Sequence, residues 1–133
     1  MADYHITLSG KPIAAARPRI GRRGVYDPQS KAKRIDRERI REQFADFQPL
    51  EGPLQLSIEF FFALPQATPK KYRYIQYHTK KSDIDNLVKH ILDSMNGVVF
   101  QDDAQASILM AAKYYSPGNP YTSIEIKELQ DYE

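Results

Sequence analysis

Two short stretches of the chain carry side chains that could do chemistry. SDIDNLVK, residues 82–89, sets Asp83 and Asp85 on either side of one apolar residue and places Lys89 four positions beyond the second; QDDAQ, residues 101–105, adds Asp102 and Asp103. Carboxylates gathered in one place repel one another and hold on to protons unless something positive lies between them. The natural filler is a hard divalent cation, because Mg²⁺ takes oxygen ligands and is commonly held by one or two carboxylates completed by water and substrate phosphate. Such a metal can activate water, stabilise the transition state of phosphodiester hydrolysis and neutralise the leaving oxyanion. A neighbouring lysine adds positive charge to the phosphate oxygens. The blander alternative is helix capping, which aspartate serves well by satisfying free N–H groups and the helix dipole. Two aspartates so close, followed by a lysine and a second acidic pair, exceed what capping needs, although capping stays open for either of them.

The elements that must position these groups follow from periodicity. Ile84, Leu87, Val88, Ile91, Leu92 and Met95 recur at helical spacing, which predicts a helix over 84–96 with one apolar stripe, ended by Asn96-Gly97. Asp85, Lys89 and Asp93 then run along a different face, with Asp85 and Lys89 about 6 Å apart along the axis. Asp83 lies two residues upstream on extended backbone, so it points to the same side as Asp85. His90 is turned about 100° from Lys89 and need not face a metal. His5 and His78 fall at unrelated positions and read as surface or edge residues.

Elsewhere, YHITLS at 4–9 alternates as a first strand, and the Gly- and Pro-rich segment 10–29 reads as a loop or loose hairpin. Asp27-Pro28 predicts an N-cap followed by proline at the first helical position, opening a helix over 28–46 with a thin stripe of Ile35, Ile40, Phe44 and Phe47 and a wide basic face. LQLSIEFFFA at 54–63 is the strongest strand signal and is expected at the centre of a sheet. A short helical turn is expected after Pro69. Residues 105–115 and 121–128 predict two strands joined through SPGNP as a hairpin. The order gives an α+β single domain over 1–133, with a mostly antiparallel or mixed sheet of four to five strands and two main helices on one face.

Composition narrows the function. With 133 residues and no cysteine, disulfides, thiol nucleophiles and thiolate metal sites are excluded, so a metal must be held by oxygen or histidine. No apolar run approaches the roughly 20 residues that span a bilayer, and MADYHITLSG lacks signal-peptide character; no membrane association and a cytoplasmic location are expected. The net charge of +2 hides an asymmetry: eleven Lys/Arg against three Asp/Glu between Lys11 and Arg41, and five basic with no acidic residues in 69–81. Two such blocks suit a polyanionic partner, since Lys/Arg contacts to phosphate supply most non-specific nucleic-acid affinity; a solvated charged face is the alternative.

At DIDNLVKHILDSMNGVVFQDDAQ (83–105) the sequence resembles the RusA family of Holliday-junction resolvases, small enzymes common in bacteria and their prophages, in its D-x-D-N-x-x-K helix, its N/G-rich turn and its D-D-A-Q. GKPIAAARPRIGRRGVYDP near the N-terminus is similar to that family's G-K-P…R-P-R segment. The resemblance implies a homodimeric, Mg²⁺-dependent endonuclease, with Mn²⁺ able to substitute, that nicks two strands of a four-way DNA junction symmetrically in recombination and repair. It assigns catalytic roles to Asp83, Asp85, Asp103 and Lys89, with the three carboxylates as metal ligands and Asp103 preferred to Asp102. Arg17, Arg19, Arg22, Arg23, Lys70, Lys71, Arg73, Lys80 and Lys81 would grip the junction backbone, positioning DNA without reading its sequence. Paired nicks need two clusters, which two-fold symmetry supplies. A broader branched-DNA nuclease and a catalytically silent DNA-binding protein on the same scaffold are the competing readings.

Overall fold

The computed structural model describes residues 3–16, 19–44 and 48–130, so that Arg17 and Phe47 lie outside the described residues and Arg19 is described by its backbone alone. In chain order the elements are β1 (Asp3–Ser9), β2 (Arg19–Gly21), β3 (Gly24–Tyr26), α1 (Ser30–Gln43), β4 (Leu54–Ala63), β5 (Gln76–Tyr77), α2 (Ile84–Met95), β6 (Ala106–Ser116) and β7 (Tyr121–Glu128). The 3₁₀ turn expected after Pro69 is present at Lys70–Tyr72, and a second one spans Asp103–Gln105. No helix among the described residues is long and apolar enough to cross a membrane.

Alternation puts Leu54, Leu56, Ile58, Phe60 and Phe62 of β4 on one face, all of them buried. This most apolar strand gains most from having both edges paired, and it stands in the middle of a five-stranded mixed sheet ordered β1-β7-β4-β6-β5. Ile6, Leu8, Ile124 and Ile126 extend the buried face; Ile40 and Phe44 of α1 and Leu87, Val88, Ile91 and Met95 of α2 cover it. The fold is thus α+β with both helices on one face, as the pattern predicts. β2 and β3 pair as a separate antiparallel ribbon, the loose hairpin of the sequence.

Four expectations need correction. β6 and β7 do not form a hairpin: β4 lies between them, parallel to β6 and antiparallel to β7. SPGNP must therefore cross two strand spacings, about 10 Å, which five residues reach easily. Helix α1 starts at Ser30 rather than 28, because an Asp27 carboxylate oxygen accepts from the Gln29 amide at 2.8 Å and closes a turn ahead of the helix; it ends at Gln43, with Phe44 already extended. The α2 stripe is shifted round the helix: Ile84 is exposed, whereas His90 and Ser94 are fully buried. His78 is no surface residue; it is buried with its ring stacked on Tyr115 at 4.2 Å and edge-on to Phe62 at 4.5 Å. His5 is exposed on the edge strand β1, 2.8 Å from the Ser123 hydroxyl.

The two helices are joined by charge as well as by apolar contact. Buried Asp36 of α1 lies 2.8 Å from His90 Nε2 of α2 and accepts from Arg39 at 3.0 Å. Burying these polar groups is tolerable only because they partner one another. The basic face of α1 is accordingly narrower than predicted, since Arg37 donates to the Asp93 carbonyl at 2.7 Å and Arg39 to the Ser9 carbonyl.

Candidate metal and DNA-binding site

α2 carries the first carboxylate pair. Asp83 stands at its N-cap position with extended backbone, its carbonyl accepting from Leu87 N, yet its side chain makes no cap hydrogen bond. Among the described residues Asp85 accepts only from the amide of its neighbour Asn86, at 2.9 Å. Both are exposed, as is Lys89. Capping therefore does not account for Asp83, and its carboxylate is left facing solvent at the positive end of a helix.

Lys89 reaches along α2 to Asp93, with Nζ 3.4 Å from Oδ2. The same carboxylate oxygen lies 3.3 Å from Lys33 of α1, which also pairs with Asp27. The hydrogen bond to Lys33 holds the Asp27 carboxyl below its ordinary value, and the same bond raises the Lys33 ammonium. Asp27, Lys33, Asp93 and Lys89 thus form a chain of alternating charge running from α1 onto the predicted active face.

The second carboxylate pair sits in the turn after α2. Gln105 clamps this turn: its side-chain oxygen accepts from the amides of Gln101 and Asp102 at 2.9 and 3.2 Å, and its nitrogen donates to the carbonyls of Leu50 and Gly52. Asp103 shares a hydrogen bond with Asp102 that pushes its carboxyl up; burial and the charges of Asp102 and Asp93 act in the same direction, and Lys89 opposes them. The turn therefore lies within electrostatic reach of Lys89 and Asp93.

The structure brings Asp103, Asp102, Asp93 and Lys89 into one neighbourhood and sets Asp83 and Asp85 together at the start of α2. It does not merge the two pairs: among the described residues no three His, Cys, Asp or Glu side chains form a group that could hold a metal ion. A hard divalent cation nevertheless suits the donors, which are all oxygen, and a carboxyl such as Asp103, raised by its bond to a neighbouring aspartate, is what such a cation relieves. Of the predicted DNA contacts, Arg22 and Arg23 are exposed at the tip of the β2–β3 ribbon, and Lys70, Lys71, Arg73, Lys80 and Lys81 are exposed between β4 and α2. Sequence reasoning missed Lys33 and Asp27 as neighbours of this face; the only hint was the place of Lys33 in a basic helix that packs on α2, with Asp27 in the turn just ahead of it.

Comparison with known proteins fits this geometry. The family model for endodeoxyribonuclease RusA matches residues 9–127. The protein YqaN of Bacillus subtilis strain 168 is 27% identical over 135 aligned residues, covering 92% of this chain and 94% of the relative. The crossover junction endodeoxyribonuclease rusA of Lactococcus phage r1t is 34% identical over 77 residues, covering 58% of this chain and 56% of the relative. The family match spans both carboxylate pairs, Lys89 and both basic blocks, and the chain belongs to the RusA family of endodeoxyribonucleases, enzymes that hydrolyse DNA phosphodiesters.

Proposed function

We propose that the protein is a cytoplasmic Holliday-junction resolvase that binds four-way DNA as a homodimer and, with Mg²⁺ or Mn²⁺, nicks two strands symmetrically. The observation that carries this reading is the exposed pair Asp83 and Asp85, the second of them one turn from Lys89, flanked by exposed basic stretches, in a chain whose phage relative is a crossover junction endodeoxyribonuclease. Asp83, Asp85 and Asp103 would hold the metal, which when bound supplies an activated water and charge stabilisation at the phosphate. Lys89, directed by Asp93, places its ammonium toward the same phosphate oxygens. Arg22, Arg23, Lys70, Lys71, Arg73, Lys80 and Lys81 grip the backbone, and Arg17 and Arg19 precede them in the same basic block.

The homodimer is supported by the edge of β6. β5 pairs with β6 at Tyr114 and Tyr115 and the His78 amide bonds to the Lys113 carbonyl, which leaves the edge of the strand from Ala106 to Ala112 without a neighbour among the described residues; Ile108, Leu109 and Met110 are exposed along it. A long apolar edge of this kind is a template for pairing with another chain. Antiparallel pairing with a second copy, two-fold about the middle of this stretch, would continue the sheet from one copy into the other.

The test is cleavage of a mobile four-way junction beside linear duplex and a flap, in Mg²⁺ and in EDTA, with an Asp83→Asn control. Paired nicks in the junction that need the metal and Asp83 are expected. Tight junction binding without any nicking would overturn the enzymatic reading, and equal cutting of linear duplex would overturn junction selectivity.

A further inference from the structure

We propose that Lys113 is a positioning residue for the cleavage site, one whose ammonium fixes the backbone that presents Asp83 and Asp85. This rests on the reading of those two aspartates as metal-holding carboxylates. Lys113 lies on β6 in register with fully buried Phe60, on the helix-covered side of the sheet, where neighbouring positions are apolar. A lysine there is tolerated only if its N–H donors find partners. They do: Nζ donates to the carbonyl of Lys80 and, at 2.6 Å, to the carbonyl of Ser82. Charge-assisted bonds of this type are stronger than neutral ones.

The two carbonyls belong to the segment between β5 and α2, which has no strand of its own to satisfy them. The segment is pinned at its other end by the same stretch of β6, since the His78 amide donates to the Lys113 carbonyl at 3.1 Å and the His78 ring stacks on Tyr115. Lys80 N in turn donates to His78 Nδ1 at 3.0 Å. Asp83 is the next residue after the second tethered carbonyl. On the far side of the carboxylate pair, the Asn86 carbonyl accepts from Ala15 N at 2.9 Å. The backbone from 83 to 85 is therefore suspended between two anchors, of which Lys113 is the charged one. Its ammonium is spent on backbone carbonyls, so it acts on the site through where it puts Asp83 and has no need to touch DNA.

The absence of cysteine from the sequence makes a clean test possible. Lys113→Cys can be alkylated with 2-bromoethylamine, which restores an ammonium at nearly the original length at that position alone. Junction cleavage rate, junction affinity in Ca²⁺ and thermal melting are measured for wild type, for Lys113→Cys before and after alkylation, and for Lys113→Met. We expect a cooperative melt, junction affinity within about threefold of wild type and a single-turnover rate lowered on the order of 10²-fold, the usual cost of misplacing reacting groups by about 1 Å. Alkylation restores most of the rate, and adding Asp83→Asn to Lys113→Met costs no more than Asp83→Asn alone. A rate within threefold of wild type in both variants overturns the proposal; so does a loss of binding that matches the loss of cutting, or failure of both variants to fold, which marks a purely structural lysine. A wild-type protein that binds junctions and never cuts them overturns the proposed function instead, and is read before any variant is made.

Discussion

The carboxylates along the α1–α2 contact and those at the start of α2 are the same kind of residue put to opposite uses. Asp27, Asp36 and Asp93 are engaged by Lys33, Arg39, His90 and Lys89, so that each negative charge is answered within the fold. Asp83 and Asp85 sit between two and three turns of helix from Asp93, yet among the described residues neither has a side-chain partner beyond the Asn86 amide. The difference teaches where to look for function in a charged protein. Paired charges hold helices together, and the charges a fold leaves unanswered await something that arrives later.

The comparison breaks most sharply at its two extremes. Asp83→Asn should lower junction cleavage on the order of 10²–10³-fold, as loss of a principal charge-stabilising group does, with an unchanged melting temperature and junction affinity equal or better. Cleavage retained within tenfold would place Asp83 among the structural charges. Asp36→Ala does the reverse: stripping His90 and Arg39 of a buried partner should cost about 3–5 kcal/mol in urea denaturation. A loss under 1 kcal/mol would show that the pair is dispensable to the helix contact.

Asp93→Asn tests the boundary between the two classes, because it touches Lys33 on one side and Lys89 on the other. A stability loss of about 1 kcal/mol is expected, with a fall in cleavage rate smaller than that of Asp83→Asn and no change in junction affinity. Acid stability sharpens the contrast further. Burial, and then the charge of Lys113, hold the His78 imidazole below its usual value of 6.5. The unfolded chain therefore binds a proton that the folded one refuses, so stability is flat above about 6.5 and falls as pH drops below it. His78→Phe should flatten that decline, as followed by urea midpoints between pH 5 and 7.5. The smallest effect belongs to the exposed cations: Arg22→Ala should weaken all DNA about equally and reduce the salt slope of binding by about 1.

Local pattern made much of this legible. β4 and α2 declare themselves because alternation and helical period are written in neighbouring residues, and the shared face of Asp85, Lys89 and Asp93 follows from the same period. The order of strands was not legible: nothing between Ser116 and Tyr121 says that β4 will slip between β6 and β7, since that depends on which strand gains most from two paired edges. Asp27 misled because a carboxylate oxygen can close a turn before a helix as readily as cap one. His78 and His90 gave no warning of burial, their partners lying at Tyr115 and Asp36, far off in sequence. Lys113 was invisible because it bonds to backbone carbonyls, which every residue has.

The place of β7 has a consequence for how the nuclease comes into being. Among the described residues β7 is the one strand between β1 and β4, so it joins the N-terminal strand to the rest of the sheet. A ribosome-bound chain has already made the carboxylates, Lys89 and Lys113, but cannot close the sheet beneath them until residues 121–128 emerge. Completion of the five-stranded sheet therefore waits for residues 121–128, and a chain that stops short of them lacks the strand that joins β1 to β4.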